Sequence, residues 1–257
     1  MKTLVPVVAA LVLCSCSWFK KKALLAPTVA PVFSVVQDRR LDEISGIVVS
    51  PDQPGVLFVH NDSGDSSRFF AIGPDGRMKA IFHFEGEAAA RLGVHDVEDI
   101  AIGPGPDSGV NYIYLGDIGD NAASRGFVTV YRIKEPVVSA GAGLVGGLRA
   151  LPEGPRAVGG GSAAGAGGEV PHFEVVAEPL YLQYPDGARD AETLMVDPIL
   201  REIYIVSKRE DSVHVYSTPL DFSPRVTRML VRKGKLRFIG MDRWITAGDI
   251  SRRGTRS

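Results

Sequence analysis

The sequence predicts an all-β fold made from repeats of one antiparallel unit, and three observations carry that prediction. The first is residues 110–121 (VNYIYLGDIGDN), where Tyr112 and Tyr114 alternate with Ile113 and Leu115 before Gly116, Asp117, Gly119 and Asp120 break the run. Aromatic and β-branched residues in alternation suit a pleated, largely buried strand, and the Gly/Asp/Asn cluster suits a tight turn. The second is recurrence. Residues 56–65 (VLFVHNDSGD) keep the same order, with Asp62, Gly64 and Asp65 at the places of Asp117, Gly119 and Asp120. Residues 202–211 (EIYIVSKRED) are a third copy, with Lys208 in place of the first Asp and Asp211 in place of the second. The third is a short apolar strand ahead of each copy, opened by small or acidic residues, at 44–47, 97–100 and 191–194 and again at 247–250.

The period follows from these short strands. Gly46, Asp99, Thr193 and Asp249 are equivalent in this alignment and fall 53, 94 and 56 residues apart. The long middle interval contains residues 139–168, a Gly/Ala stretch whose sparse large side chains bury too little apolar area to offset ordering, so it is expected to be a disordered insertion at a blade edge. Units of this size with about four short strands each match β-propeller blades. The expected fold is therefore a β-propeller of four-stranded antiparallel blades, about three blades plus the start of a fourth, spanning residues 41–251.

Each unit can be read in order. The first has strands near 44–49, 56–60, 68–72 and 79–84, separated by Pro/Gly/Asp turns at 50–55 and 73–76 and by the acidic turn. Residues 85–92 (EGEAAARL) are the one short helical candidate. The second unit starts at 95–99 (HDVED), passes through the organising strand, continues with 127–133 and takes its fourth strand from 173–184, beyond the insertion. The third begins at 186–192 and includes strands at 202–207, 212–218 and within 227–239; residues 244–251 open a fourth, and 252–257 form a basic tail. Propellers close with about four to eight blades, so three and a strand should not close alone. A truncated product of a longer gene is the expectation, or a domain completed by another copy.

Composition decides less than the N-terminus. The 257 residues are 45% hydrophobic with a net charge of −1, which is ordinary for a globular chain and argues against a nucleic-acid partner. A short basic start, an apolar run over 4–13 too short to span a bilayer, and Leu13-Cys14-Ser15-Cys16 follow one another. This resembles the lipobox of bacterial lipoproteins. The resemblance implies that residues 1–15 are removed as a signal peptide and that Cys16 is acylated, holding the protein at a membrane in the bacterial cell envelope, outside the cytoplasm. An ordinary secretory signal with two incidental cysteines is the alternative. Residues 16–40, with Lys20, Lys21 and Lys22 and their prolines, read as a tether.

Alternate strands of a blade reverse direction, so the start of the first and the end of the second lie at one rim. That gathers Glu43, Glu98, Asp99, Glu192 and Asp249 with Asp62, Asp65, Asp117, Asp120 and Asp211. Carboxylates crowded about one axis repel unless a cation sits among them, and Ca²⁺, with six to eight oxygen ligands in flexible geometry, suits such a set. The metal candidates are Glu98, Asp99, Asp62, Asp117, Asp120 and Glu192, with Asn61, Asn121 and turn carbonyls as neutral oxygens. Each Asp turn could instead bond only its own backbone amides. His60 and His95 flank the rim as candidate general bases or metal ligands. No nucleophile elbow, zinc-helix motif or phosphate-cradling loop occurs in the sequence.

Taken together, HNDSGD, VEDIA, YLGDIGDN and AETL resemble secreted bacterial β-propellers of the shape seen in calcium-dependent phytases, regucalcin-type lactonases and receptor propellers with tyrosine-tryptophan-threonine-aspartate strands, and above all propeller lipoproteins. A phytase would imply several metal ions and a rim rich in Lys and Arg, where this chain offers only Arg68, Arg125, Lys208 and Arg209. Three functions are therefore expected: a membrane-anchored propeller binding calcium and a small-molecule ligand or partner protein, a calcium-dependent hydrolase of phosphoesters, lactones or esters, or an inactive fragment of a longer propeller.

Overall fold

The computed structural model describes residues 33–138, 149–150, 170–220, 223–237 and 244–251. Among them lie strands and turns and no helix. The expected signal peptide, Cys16, most of the expected tether, most of the insertion and the basic tail lie outside the described residues.

The first sheet begins with four strands in sequence order, β1 (Ile44–Val49), β2 (Leu57–Asn61), β3 (Arg68–Ile72) and β4 (Met78–Phe84), each antiparallel to the last. Gly55 and Gly76 take positive φ of 75° and 76° in the turns that join them, a conformation that a side chain would strain. The second sheet opens the same way with β5 (Val97–Pro104), β6 (Asn111–Asp117) and β7 (Val128–Lys134). The chain then returns to the first sheet through β8 (Arg149–Ala150) and β9 (His172–Val175) before β10 (Ala177–Gln183) completes four antiparallel strands in the second. The third sheet is β11 (Ala191–Asp197), β12 (Glu202–Ser207) and β13 (Val213–Pro219), followed by β14 (Arg228–Met229), which leaves to pair with β10, and β15 (Val231–Leu236), which pairs with β13.

The sheets stack face to face, and β6 explains why they can. Ile113 and Leu115 point to one side and pack with Phe58, Phe69 and Phe82 of the first sheet, while Tyr112 and Tyr114 point to the other and pack with Leu194, Ile203 and Ile205 of the third. A strand whose two faces are both apolar is the middle layer of a stack. At the junctions, β5 lies against β1 on one side and β11 on the other. The outer face of the first sheet carries a smaller cluster, Val59, Phe70, Ile72 and Ile81, partly covered by Val36 and Leu41.

Four expectations need correction. Residues 85–92 form successive turns, with Ala90 N–H donating to Glu87 O and Gly93 N–H to Ala90 O at 3.0 Å. Gly86 and Gly93 pass so close that a Cβ on Gly86 would collide with Gly93 O, and one turn of Ala-rich chain cannot offset helix nucleation. Residues 173–184 divide between two sheets, because Phe173 stacks on Phe82 at 5.7 Å and draws β9 alongside β4, while Val176, 84% exposed, marks the crossing. Within the insertion, Arg149 and Ala150 are a strand paired with β9. Residues 244–251 carry no strand, although Gly248 packs against Thr193 and Met195 of β11.

Phe82 is fully buried, stacks on Phe69 at 5.0 Å and touches both Phe58 and Phe173. Phe82→Ala is expected to destabilise the chain by roughly 3–5 kcal/mol, read from the midpoint of denaturant unfolding. A loss under about 1 kcal/mol would show that the first two sheets do not share this core.

Candidate metal centre

Each sheet carries the same irregularity at the start of its first strand. The ladder pairs Ile44 with Asn61 and then Gly46 with His60, Val97 with Asp117 and then Asp99 with Gly116, Ala191 with Ser207 and then Thr193 with Val206. One residue is left over each time, namely Ser45, Glu98 and Glu192. A β-bulge re-aims the extra side chain, and here it does so at equivalent positions in three sheets. Just beyond each bulge, a backbone N–H of the turn after the second strand closes onto a carbonyl: Asp62 to Glu43 at 2.8 Å, Gly119 to Asp96 at 3.2 Å and Lys208 to Asp190 at 2.8 Å.

These bonds revise the alignment of the acidic turns. Asp62 and Lys208 do correspond, but their counterpart in the second sheet is Gly119, since Ile118 is an additional buried residue in that turn. Asp117 instead matches Asn61 and Ser207. Its fully buried carboxylate accepts the N–H groups of His95 at 3.0 Å and Asp96 at 2.9 Å, and pairs with Arg125 Nη1 at 2.9 Å. It thereby fixes the backbone that carries the next acidic residues.

Those residues meet a turn of the first sheet. Asp62, Asp96 and Glu98 each bring one carboxylate oxygen within 4.8 Å of the others. Glu98 is 5% exposed, and Asp96 Oδ1 is sealed from solvent without a hydrogen-bond partner. Gly119 lies against both, and a Cβ there would collide with the Asp96 and Glu98 carboxylates. Burial, and after it the neighbouring Asp62, pushes Asp96 up to about 6. Burial, and after it Asp96 and Glu192, pushes Glu98 up to about 9.

The third sheet handles the same bulge differently. Glu192 is ion-paired with Lys208, which stands where the second sheet has Gly119. Beside it, Asp190 accepts the Asp120 N–H at 3.0 Å and pairs with Arg209, whose guanidinium also reaches Asn121.

The remaining candidates are distributed around this centre. Asp99 bonds the Ile100 and Leu194 N–H groups, both at 2.9 Å, and that of Gly248, so it ties β5 to β11 and to 244–251. Burial pushes it up to about 7 against those three donors. Asp120 accepts the Arg125 N–H at 2.7 Å within its own turn, and Asp65 accepts Ser66 N–H and Arg68 Nε at 2.7 Å. His60, 1% exposed, bonds the Asn61 carbonyl through Nδ1 at 2.7 Å and abuts Gly46, and burial lowers it to about 4. His95 is exposed and lies 3.5 Å from Glu87. Asp96 was absent from the sequence-derived set. It stands two residues before Glu98 in HDVED, and the bulge at Glu98 together with the neighbouring sheet's turn brings both carboxylates to Asp62.

No protein-family model and no curated protein matches this chain. Among solved structures it is similar to U3-55K, with 10% identity, a TM-score of 0.27, and coverage of 85% of this chain and 88% of that one. The functional reading therefore rests on the side chains themselves.

Both Asp96 and Glu98 have folded values above their unfolded ones, so the cation-free fold favours their protonated forms. The stability they contribute is present at low pH and is lost as pH rises through about 6 and about 9. In chelator the melting temperature is expected to fall by several degrees between pH 5 and pH 9, and Glu98→Gln should flatten that fall. An equally steep fall in the variant would remove Glu98 as its cause.

Proposed function

We propose that the chain is an arc of a β-propeller that binds Ca²⁺ through Asp62, Asp96 and Glu98. It is tethered outside the cytoplasm by acylated Cys16 and presents the ion to a small-molecule ligand or a partner protein. The propeller reading is supported by three stacked sheets, each with four antiparallel strands at its base and its first strand against that of the next.

The observation that carries the metal reading is the contrast between two equivalent bulges. Glu192 has a cation from its own sheet, Lys208, whereas Glu98 faces two further carboxylates and has Gly119 at the corresponding place. Carboxylates held together away from solvent either take up protons or gather a cation. Two oxygens each about 2.4 Å from one Ca²⁺ lie at most about 4.8 Å apart, and the three oxygens of this set lie within that distance of one another. An all-oxygen donor set also favours a hard ion over one that prefers nitrogen or sulfur. The opening to solvent on the Asp62 side leaves coordination positions for water or for an anionic group of a ligand.

Thermal unfolding of the chain at neutral pH, in chelator and in millimolar Ca²⁺, tests the reading. A ligand confined to the native state adds about 2.7 kcal/mol at a concentration a hundredfold above its Kd. A rise of several degrees is expected for the wild type and is lost in Asp62→Asn, Asp96→Asn and Gly119→Ala. Glu98→Gln should melt higher than the wild type in chelator and respond no further to Ca²⁺. A wild-type transition indifferent to Ca²⁺ sinks the metal site.

A further inference from the structure

A second group of metal-ligating side chains lies on the outer face of the first sheet and uses different chemistry. His83 Nε2 and His172 Nδ1 are 3.0 Å apart, with their rings nearly parallel at 13° and centroids 5.2 Å apart. The two residues are 89 apart in sequence and meet because β9 joins β4 in parallel, with Ile81 opposite His172 and His83 opposite Glu174. Alternation then sorts the side chains: Phe82, Phe84, Phe173 and Val175 enter the core between the first two sheets, and His83 and His172 face away from it.

We propose that His83 and His172 bind a divalent transition-metal ion of the zinc, nickel or copper class, stapling β9 to β4 of the first sheet. Two nitrogens each about 2.0–2.1 Å from one ion lie at most about 4.2 Å apart, so a 3.0 Å separation puts both within reach of one ion; the rings, which now meet edge to edge, must turn about their side-chain torsions to aim both lone pairs at it, while the strands stay in place. Imidazole nitrogen suits these metals, while the Asp62 centre offers only oxygen, so the two sites sort ions by hardness.

The protonation state is favourable. Burial, then the neighbouring His172 and Arg68, lowers His83 below its usual value, so it is a neutral ligand at neutral pH. In the metal-free pair one ring donates its N–H to the other. On binding, that proton moves through solvent to the outer nitrogen of the donor ring, and both facing lone pairs go to the ion. Arg68 is the one cation opposite His83 in the ladder, and its charge is balanced by Asp65, which it meets at 2.7 Å. Glu174, paired with His83 in register, adds a carboxylate to the same stretch of ladder.

The test is a Zn²⁺ titration of the full chain in millimolar Ca²⁺, which keeps the oxygen site filled, following the ring resonances of the five histidines by NMR. Saturable binding of one Zn²⁺ is expected, with the His83 and His172 signals shifting together and those of His60, His95 and His214 unmoved. His83→Gln and His172→Gln should each weaken Zn²⁺ at least tenfold, and Glu98→Gln should leave it unchanged. Shifts centred on His95 or His214, affinity insensitive to both Gln variants, loss of Zn²⁺ binding in Glu98→Gln, or no saturable binding would each overturn the proposal. The wild-type spectra decide it even if a variant fails to fold.

Discussion

The candidate centre depends on a backbone irregularity that recurs in all three sheets. Without the extra residue at the start of each first strand, Glu98 would follow the alternation of β5 and its backbone would pair with β6. The slip frees it from the ladder and delivers it to the junction with the neighbouring sheet. Because the slip is set by backbone hydrogen bonds, it is independent of which side chain occupies it. Ser45, Glu98 and Glu192 occupy one position, and the fold tolerates a hydroxyl, a crowded acid and a paired acid there. Ser45 uses the position structurally, its hydroxyl donating to the Glu98 carbonyl at 2.9 Å and so tying the first sheet to the second.

Around that constant, supporting residues decide the outcome. Asp117 holds the His95 and Asp96 amides, and Arg125 compensates its buried charge while also bonding the Gly119 carbonyl at 2.9 Å. The approach to Glu98 is thus fixed from below, and Gly119 leaves the space above it open. In the third sheet that space is taken by an ammonium group. The same backbone therefore supports a bulge position neutralised by its own sheet's lysine and one that, among the described residues, has a glycine in that lysine's place, and a Gly-to-Lys difference separates them.

Much of the fold was legible because its signals are local. The alternation of Tyr112, Ile113, Tyr114 and Leu115 marks a strand buried on both faces, and Pro/Gly turns mark where strands end. The detour of β9 was illegible, since its place is decided by Phe173 stacking on a ring some 90 residues earlier, which no periodicity within 173–184 encodes. The acidic turns were legible as a class and misaligned in detail. HNDSGD and LGDIGDN match by eye at their Asp and Gly residues, but strand register counts hydrogen bonds, and one additional buried residue, Ile118, moves Asp117 from the expected turn position to the buried end of β6. The place of Asp96 in the candidate centre was hidden too, because its neighbour Asp62 comes from another sheet.

Glu98 is hard to account for as a purely structural residue. Asx turns explain Asp65 and Asp120, whose carboxylates are spent on nearby amides and Arg68; an inter-sheet tie explains Asp99, and bonds to the His95 and Asp96 amides and to Arg125 within its own sheet explain Asp117. A glutamine at position 98 would fill nearly the same volume, relieve the repulsion from Asp96 and Asp62 and donate to either. The chain instead keeps an acid where ionisation opposes folding, next to a glycine whose missing side chain preserves the space in front of it. A group that lowers the stability of the free fold is expected where a ligand makes up the difference.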